Sequence, residues 1–371
     1  MSVATVPAVH IAGHRIGGAA PRRTFVVAEI SANHRGSLEE ALFLVDAAHA
    51  AGVQAIKLQT YTPDTMTLDC DRPEFRLGTG TIWEGRRLHE LYGEAHTPWA
   101  WHEPIARRAA EHGLVWFSTP FDATAVDFLE ALGAPAYKIA SFELVDHPLL
   151  EKVARTGKPV ILSTGMASLD EIDSAVGCLR DAGCRELVLL KCTSAYPAPP
   201  ESMNLAAMRT LAERYGVPAG LSDHTLGTAV PVAAVALGAT LVEKHFTRSR
   251  ALGGPDGPFS LEPAELKHLV DDVRVAELAI GGPAWAVVGA EDALRVFRRS
   301  LFVSRDVQRG EVLDDTNVRS IRPGHGLAPR HWNEIVGRRA ARDLVRGAPL
   351  AWDDVAREPA ANDGRDLPED A

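Results

Sequence analysis

Short apolar runs rich in Val, Ile and Leu recur along the chain: Phe25 to Ile30, Gln54 to Gln59, Leu114 to Ser118, Tyr137 to Ala140, Val160 to Ser163, Leu187 to Cys192, Ala219 to Leu221 and Leu241 to Phe246. Their hydrophobicity is continuous rather than alternating, which suits strands buried on both faces, as in a parallel sheet covered by helices. Between them lie helical patterns, each followed by a glycine suited to the left-handed residue after a helix: Gly52, Gly113, Gly133, Gly157, Gly183, Gly216, Gly238 and Gly281. Helix starts are marked as well. Ser37 stands three before Glu40, Ser168 three before Glu171, and Thr97 is followed by Pro98 at an expected first helical position. Eight strand and helix alternations ending near residue 281 predict a (β/α)8 TIM barrel. The alternative, a doubly wound sheet, does not normally run to eight regular units.

Two stretches break the repeat. Residues 9–17, with Gly13 and His14 between short apolar runs, predict a small hairpin before the first strand, plugging the barrel's bottom. Residues 60–96 form a long insertion after the second strand, on the side where barrel enzymes bind substrate. The predicted organisation is a barrel over 1–281, a linker over 282–297, a compact module of short strands and turns over 298–357, and a disordered tail over 358–371 with almost no apolar residues.

Composition narrows the function. At 371 residues the chain has room for a large barrel plus a small module, and 46% hydrophobic with 24% charged residues is ordinary globular usage. Lys and Arg number 39 against 49 Asp and Glu, a net charge of -10 that disfavours a nucleic-acid partner while leaving room for a local basic pocket. The most apolar stretch, Ala229 to Val242, is too short for a membrane span and is broken by Pro231 and Gly238. The first nine residues lack the pattern of a secretory signal. Four cysteines without a CxxC point to a reducing cytoplasm.

The C-terminal ends of barrel strands line the active site. Here those positions read Glu29 with Asn33 and His34; Lys57 and Gln59; Ser118 and Thr119; Lys138, Ser141 and Glu143; Ser163 and Thr164; Lys191, Thr193, Ser194 and Tyr196; Ser222, Asp223 and His224; Glu243, Lys244 and His245. Strand ends are wetter than strand middles, so polarity alone has a plain explanation. Lysines and hydroxyls on one rim are more telling: Lys57 and Lys138 can neutralise a phosphate and a carboxylate, while Ser141, Ser163 and Ser222 add hydrogen bonds. His224 and His245 end neighbouring strands, and two histidines with carboxylates nearby suit an octahedral Mn²⁺ or Mg²⁺ site. Singly, each histidine reads first as a structural residue or a plain hydrogen bonder; their matched positions reverse that and favour the ligand role. Glu29, Glu143, Glu243 and Asp256 are the acid/base candidates, with pairing to a lysine the plain alternative for Glu243.

The runs AEISANHRGS (28–37), AIKLQTY (55–61), FSTPFD (117–122), YKIASFE (137–143), STGM (163–166), LLKCTSAYPAP (189–199), GLSDHTLG (220–227) and EKHFT (243–247) resemble the sialic acid synthase family. SIRPGHGL (320–327) in the C-terminal module resembles the antifreeze-like (SAF) domain these enzymes carry. The resemblance implies condensation of phosphoenolpyruvate with an open-chain N-acetylated amino sugar, giving a nine-carbon 2-keto acid and phosphate. It makes His224 and His245 metal ligands, and Lys57, Lys138, Ser141, Ser163, Ser222 and more weakly Ser194 phosphoenolpyruvate contacts. It turns Glu29, Gln59, Tyr196 and Asp256 toward the sugar and brings Arg322 from the partner subunit of a domain-swapped homodimer; of the acid/base candidates, Glu143 is the one we choose for the proton of the attacking water. KLQTYTPDTM, EAHTPW, LLKCTSAYPAPP and GGPDGPFSLEP look most like the pseudaminic branch, whose sugar is a 2,4-diacetamido-2,4,6-trideoxy-L-altrose. Lys191 and Ser194 stand where the neuraminate branch typically has His and Asn, and Arg35 replaces the Asn usual after the Asn-His pair. The neuraminate and legionaminate reactions, a related condensation with another sugar, and a non-catalytic sugar-binding protein are the alternatives.

Overall fold

The first described element is an antiparallel hairpin, β1 (Ala8–Ile11) and β2 (His14–Gly17), with Ile11 facing His14 across a two-residue turn. Both turn residues, Ala12 and Gly13, have positive φ (46° and 83°), the backbone that matches the right-handed twist of the paired strands. Eight parallel strands follow: β3 (Phe25–Glu29), β4 (Ala55–Thr60), β5 (Val115–Pro120), β6 (Tyr137–Ile139), β7 (Val160–Ser163), β8 (Leu187–Cys192), β9 (Ala219–Asp223) and β10 (Leu241–His245). Each pairs with the next, and β10 pairs with both β9 and β3, so the sheet closes into a barrel with no free edge. The computed structural model describes residues 6–19, 23–78, 82–281 and 289–357.

Strand alternation sorts the side chains into two cores. Outward residues such as Val26, Ile56, Leu58, Tyr137, Leu162, Leu189 and Val242 pack under the helices. Inward residues from the lower half of the barrel (Phe25, Val27, Ala55, Val115, Phe117, Ile161, Val188, Leu190 and Leu241) form a separate apolar cluster with Val9, Ile11 and Ile16 of the hairpin. The hairpin therefore seals the N-terminal end of the barrel with aliphatic side chains. Above that layer the inward positions become polar. The barrel is a well with an apolar floor.

Helices Leu38–Ala51, His102–Glu111, Ala123–Ala131, His147–Ala154, Leu169–Asp181, Ala207–Tyr215, Ala229–Ala236 and Pro263–Ile280 cover the outside. Ser37 and Ser168 cap their helices by accepting from the amides of Glu40 and Glu171, and all eight glycines that follow these helices have positive φ. Most strand ends fall within one or two residues of expectation, and two of the boundaries that differ have a visible cause. Gln54 lies outside β4 because its side chain bridges the backbone, accepting from the Val26 amide and donating to the Gly52 carbonyl at 2.9 Å each. Thr97–Pro98 precedes a 3-10 turn, Trp99–Trp101, and the α-helix begins only at His102, since the Thr97 hydroxyl is engaged by His34 Nε2 at 3.3 Å instead of capping.

Contacts divide the chain into two units, Met1–Gly281 and Gly282–Ala371. In the second, β11 (Ser300–Val303) and β12 (Val318–Ile321) pair antiparallel, and isolated bridges such as Val307 with Leu344 extend the module around Leu301, Val303, Leu313, Val318, Ile335 and Leu350. Residues 289–297 of the expected linker form two 3-10 turns, whereas 282–288 and the tail from 358 onward lie outside the described residues.

Gly220 marks how tightly the barrel closes. A Cβ there would collide with the carbonyl oxygen of Leu241 on β10 and sit 2.9 Å from Leu190 Cδ2 on β8. Gly220→Ala is expected to cost about 1–3 kcal/mol by overpacking. The melting temperature should fall by several degrees, measured by differential scanning calorimetry; an unchanged melting temperature would show that the neighbouring strands can part.

Candidate active site

Alternation decides which strand-end residues enter the well. Glu29 follows Val27 by two positions, Lys57 follows Ala55, Lys138 follows Ala136, Ser163 follows Ile161 and Cys192 follows Leu190, so these share the inward face. On β10 the inward residues are Glu243 and His245. Lys244 between them points outward, where its ammonium is fully buried against Asp223 Oδ2 at 2.5 Å and the Thr225 carbonyl. That pair holds the wall rather than the site. Asn33 and His34 are tied to neighbouring loops: Asn33 Nδ2 donates to the Phe246 carbonyl and Ser260 Oγ at 2.9 Å each, leaving only its buried Oδ1 without a partner, and His34 Nδ1 accepts from the Gly36 amide at 3.1 Å.

Lys57 is the hub of the inward set. Its buried ammonium pairs with Glu29 Oε2, lies 3.7 Å from Glu243 Oε1 and donates to Thr119 Oγ1 at 3.2 Å. Ser222 Oγ donates to the same Glu243 oxygen at 3.1 Å. Burial would pull the Lys57 pKa down, but Glu243 and Glu29 outweigh it and hold the ammonium charged. Two carboxylates beside one cation cannot both ionise freely. Burial pushes Glu29 up to about 7, while Glu243 stays below the usual range because Lys57 and Lys138 offset its burial. Lys138 lies low through burial, its Nζ donating to the Ile139 carbonyl at 2.8 Å.

Hydroxyls line the side formed by β6, β7 and β8. Ser141 Oγ accepts from the Gly165 amide at 3.0 Å, and a Cβ on Gly165 would collide with Ser194 Oγ and sit 2.8 Å from Ser141 Oγ. Ser163 Oγ and Ser194 Oγ are buried with no hydrogen-bond partner, as is Glu143 Oε2. Buried polar atoms are normally satisfied, so orphans aimed at one well are the mark of a ligand site. Burial lifts Glu143 to about 7.

His224 and His245 meet with ring centroids 5.3 Å apart. His224 Nδ1 is 2.9 Å from the Thr193 carbonyl, which assigns its proton there and leaves Nε2 with a lone pair. His245 Nδ1 is buried without a hydrogen-bond partner, 3.9 Å from Asp256 Oδ2, and burial keeps this imidazole neutral. Among the described residues no three His, Cys, Asp or Glu side chains converge as a preformed metal cage. Two imidazoles, one with an orphaned buried nitrogen, fit a hard divalent ion that takes its remaining ligands from water or substrate. Asp256 is oriented by the Ser31 hydroxyl and by the Ala32 amide at 3.3 Å, and burial raises its pKa.

Aromatic rings close one flank. Tyr196 lies 4.4 Å from His224 and 5.1 Å from Phe259, which in turn lies 4.9 Å from His245. Of the remaining candidates, Gln59 is half-buried at the top of β4 opposite Thr119, and Arg322 is exposed just after β12 in the second unit. Cys192, Ser31 and Phe259 were not singled out from the sequence. Cys192, whose thiol is 3.9 Å from His224 Nδ1, was legible from the inward parity of β8; Phe259, on an irregular loop, had no periodic signal. Arg35 is engaged by Glu40 at 3.2 Å, a carboxylate it shares with Arg248 at 3.4 Å.

Fold and site together define a (β/α)8 barrel enzyme whose charged chemistry sits at the C-terminal mouth. The chain belongs to the NeuB family, whose model matches residues 44–284, and residues 298–356 match the SAF domain. The motif resemblance and the barrel-plus-module architecture are thereby borne out. The chain is 43% identical to a pseudaminic acid synthase of Campylobacter jejuni, over 90% of this chain and 97% of that protein. It is 36% identical to the N,N'-diacetyllegionaminic acid synthase of Legionella pneumophila, over 92% of this chain and 98% of that one. Among solved structures, the N-acetylneuraminic acid synthetase of Leptospira borgpetersenii superposes with a TM-score of 0.69 at 32% identity, covering 78% of this chain and 95% of that one.

Glu143 gives the site a pH signature. Its carboxyl titrates at about 7 in the folded chain against an ordinary 4.5, so between those values the folded state holds more protons than the unfolded one and stability falls as pH rises. Glu143→Gln removes that cost. In urea titrations the variant should gain about 1–3 kcal/mol over wild type at pH 8 and much less at pH 5. An equal margin at both pH values would mean an ordinary, solvated carboxyl.

Proposed function

We propose that the chain catalyses the metal-dependent condensation of phosphoenolpyruvate with 2,4-diacetamido-2,4,6-trideoxy-L-altrose, releasing phosphate and a nine-carbon 2-keto acid, the reaction of a pseudaminic acid synthase. The observation that carries this reading is one barrel mouth holding a lysine pair, orphaned serine hydroxyls and two imidazoles in a chain so similar to synthases of that name. N-Acetylneuraminate and legionaminate remain the nearest alternative products, and the similarity to pseudaminic acid synthases favours the main reading over them.

Electrostatics explains why a metal belongs here. Lys57 and Lys138 face Glu29, Glu143, Glu243 and Asp256, and only the upward shifts of Glu29, Glu143 and Asp256 keep the well from being strongly negative. A phosphoenolpyruvate bearing up to about three negative charges needs more positive charge than the lysines supply. His224 and His245 would hold a Mn²⁺ or Mg²⁺ ion, which supplies Lewis-acid polarisation of the sugar aldehyde.

The chain's own groups do the rest. Lys57 and Lys138 hold the phosphate and carboxylate, and Ser141, Ser163, Ser194 and Ser222 donate hydrogen bonds to the same anion. Glu29, Gln59, Tyr196 and Asp256 orient the open-chain sugar. C3 of the enol phosphate forms the new C–C bond to the aldehyde carbon, a water adds to C2 of the resulting cation, Glu143 accepts that water's proton, and the aldehyde oxygen takes up one proton in turn to become a hydroxyl. Loss of phosphate from C2 by C–O cleavage then leaves the keto acid. Four free cysteines are in keeping with a cytoplasmic location for this biosynthetic step.

Phosphate release measured across a panel of amino sugars tests the assignment. The trideoxy diacetamido sugar should be turned over at least about tenfold better than N-acetylmannosamine, because a site built around one pattern of polar groups rejects another. Exhaustive chelation should abolish the release and Mn²⁺ should restore it. Preference for N-acetylmannosamine would move the chain to the neuraminate reaction, and full activity without metal would remove the role of His224 and His245.

The module is too small to house this chemistry alone, and its exposed Arg322 has no carboxylate partner among the described ion pairs. We assign it to the sugar site of a second copy in a domain-swapped homodimer, each subunit lending the same arm. Coexpressed Arg322→Ala and Glu143→Gln chains should regain activity in the mixed dimer, where one site carries both defects and the other none. A mixed dimer as inactive as its parents would place Arg322 in its own subunit's site.

A further inference from the structure

Trp83 belongs to the insertion between β4 and the helix His102–Glu111, a stretch that the barrel repeat does not require. Its indole Nε1 donates to the Pro255 carbonyl at 3.0 Å, one residue before Asp256. Its ring lies 5.6 Å from Tyr196, tilted by 53°, and Tyr196 lies 4.4 Å from His224. One half-buried indole thus ties together three loops above the imidazoles: the insertion, the loop after β8 and the loop after β10. Neither the hydrogen bond nor the ring contact is needed to close the barrel below.

We propose that Trp83 is a specificity-determining residue whose ring covers the far end of the acceptor's carbon chain and favours a deoxy methyl terminus over a hydroxymethyl one. The inference rests on the condensation proposed above, which places the aldehyde end at His224 and His245. Distance supports it. An extended six-carbon chain with bonds of about 1.5 Å reaches roughly 6 Å, enough to carry its far end past the first ring-to-ring step, 4.4 Å from His224 to Tyr196, and into the second, 5.6 Å from Tyr196 to Trp83. Chemistry supports it too. Trp83, Tyr196 and Phe259 form an aromatic flank, with successive ring centroids 5.6 and 5.1 Å apart. The indole's single N–H is already given to Pro255, so the ring has no donor left for a sugar hydroxyl. A methyl group gains contact area against such a face, and a hydroxyl buried there goes unsatisfied.

Steady-state kinetics of wild type, Trp83→Ala and Trp83→Phe, with each substrate varied in turn, test the assignment. In Trp83→Ala the KM for the trideoxy sugar should rise about tenfold with the phosphoenolpyruvate KM unchanged, and the preference over N-acetylmannosamine should collapse. Trp83→Phe keeps an aromatic face without the Pro255 bond and should recover most of that preference. A folded Trp83→Ala enzyme with unchanged sugar KM and preference overturns the proposal. So does an equal rise in both KM values, which would make Trp83 a brace for the whole mouth. If wild type instead prefers another 6-deoxy sugar of the panel, the proposed substrate fails on its own, and the KM split is read with that sugar: a sugar-only rise in Trp83→Ala supports the wall, and none removes it. A wild-type preference for a sugar with a hydroxymethyl terminus overturns the proposal as well.

Discussion

A charged lysine sunk between two carboxylates inside a barrel is the constraint to which the rest of this site conforms. The Lys57 ammonium is almost fully enclosed, and so are Glu29 and Glu243. Removing ions from water costs several kcal/mol each, roughly offset only where geometry and further hydrogen bonds are good. Thr119 and Ser222 supply those bonds, and the closed sheet supplies the geometry, since Glu29, Lys57 and Glu243 stand on three consecutive strands of the ring. Loss of the lysine would leave two carboxylates facing each other in the dark. The same arrangement poises Glu29 near neutrality and makes the well receptive to more positive charge. Structure and chemistry here draw on one network.

Most of that plan was legible in the chain. Eight continuous apolar runs announced the barrel, and the polar residues in or just after the end of each run announced the mouth. What the runs did not resolve was the direction of individual side chains. His224 and His245 face the well while Asp223 and Lys244, their immediate neighbours, hold the wall, and only a strict count of two along each strand separates them. Asn33 and His34 looked like site residues but spend their hydrogen bonds on Phe246, Ser260 and Gly36. Their loop needed tertiary partners that no local pattern reveals. Shifted pKa values were hidden for a related reason. Glu143 sits near 7 because of what other strands and loops stack around it, and a linear sequence carries no measure of that enclosure.

Strands and loops divide the labour. The strand ends fix charge with little freedom, each side chain set by a register shared with two neighbours. Gly165 shows how narrow the tolerances are, since a single methyl there would strike the hydroxyls of Ser141 and Ser194. The loops supply aromatic rings and backbone carbonyls whose placement depends on contacts among loops, as in the approach of Tyr196 and Phe259 to the two imidazoles. Anion chemistry on the strands and shape on the loops can therefore vary separately.

The hairpin at the base decides the traffic. Val9, Ile11 and Ile16 close the far end, so the well is a cul-de-sac. Two reactants cannot pass one another in a passage with a single opening. Whichever reactant binds nearer the floor must arrive first, and one resting above it bars its retreat. A nine-carbon product, longer than either reactant, leaves by the same door, and the next cycle waits until it has gone.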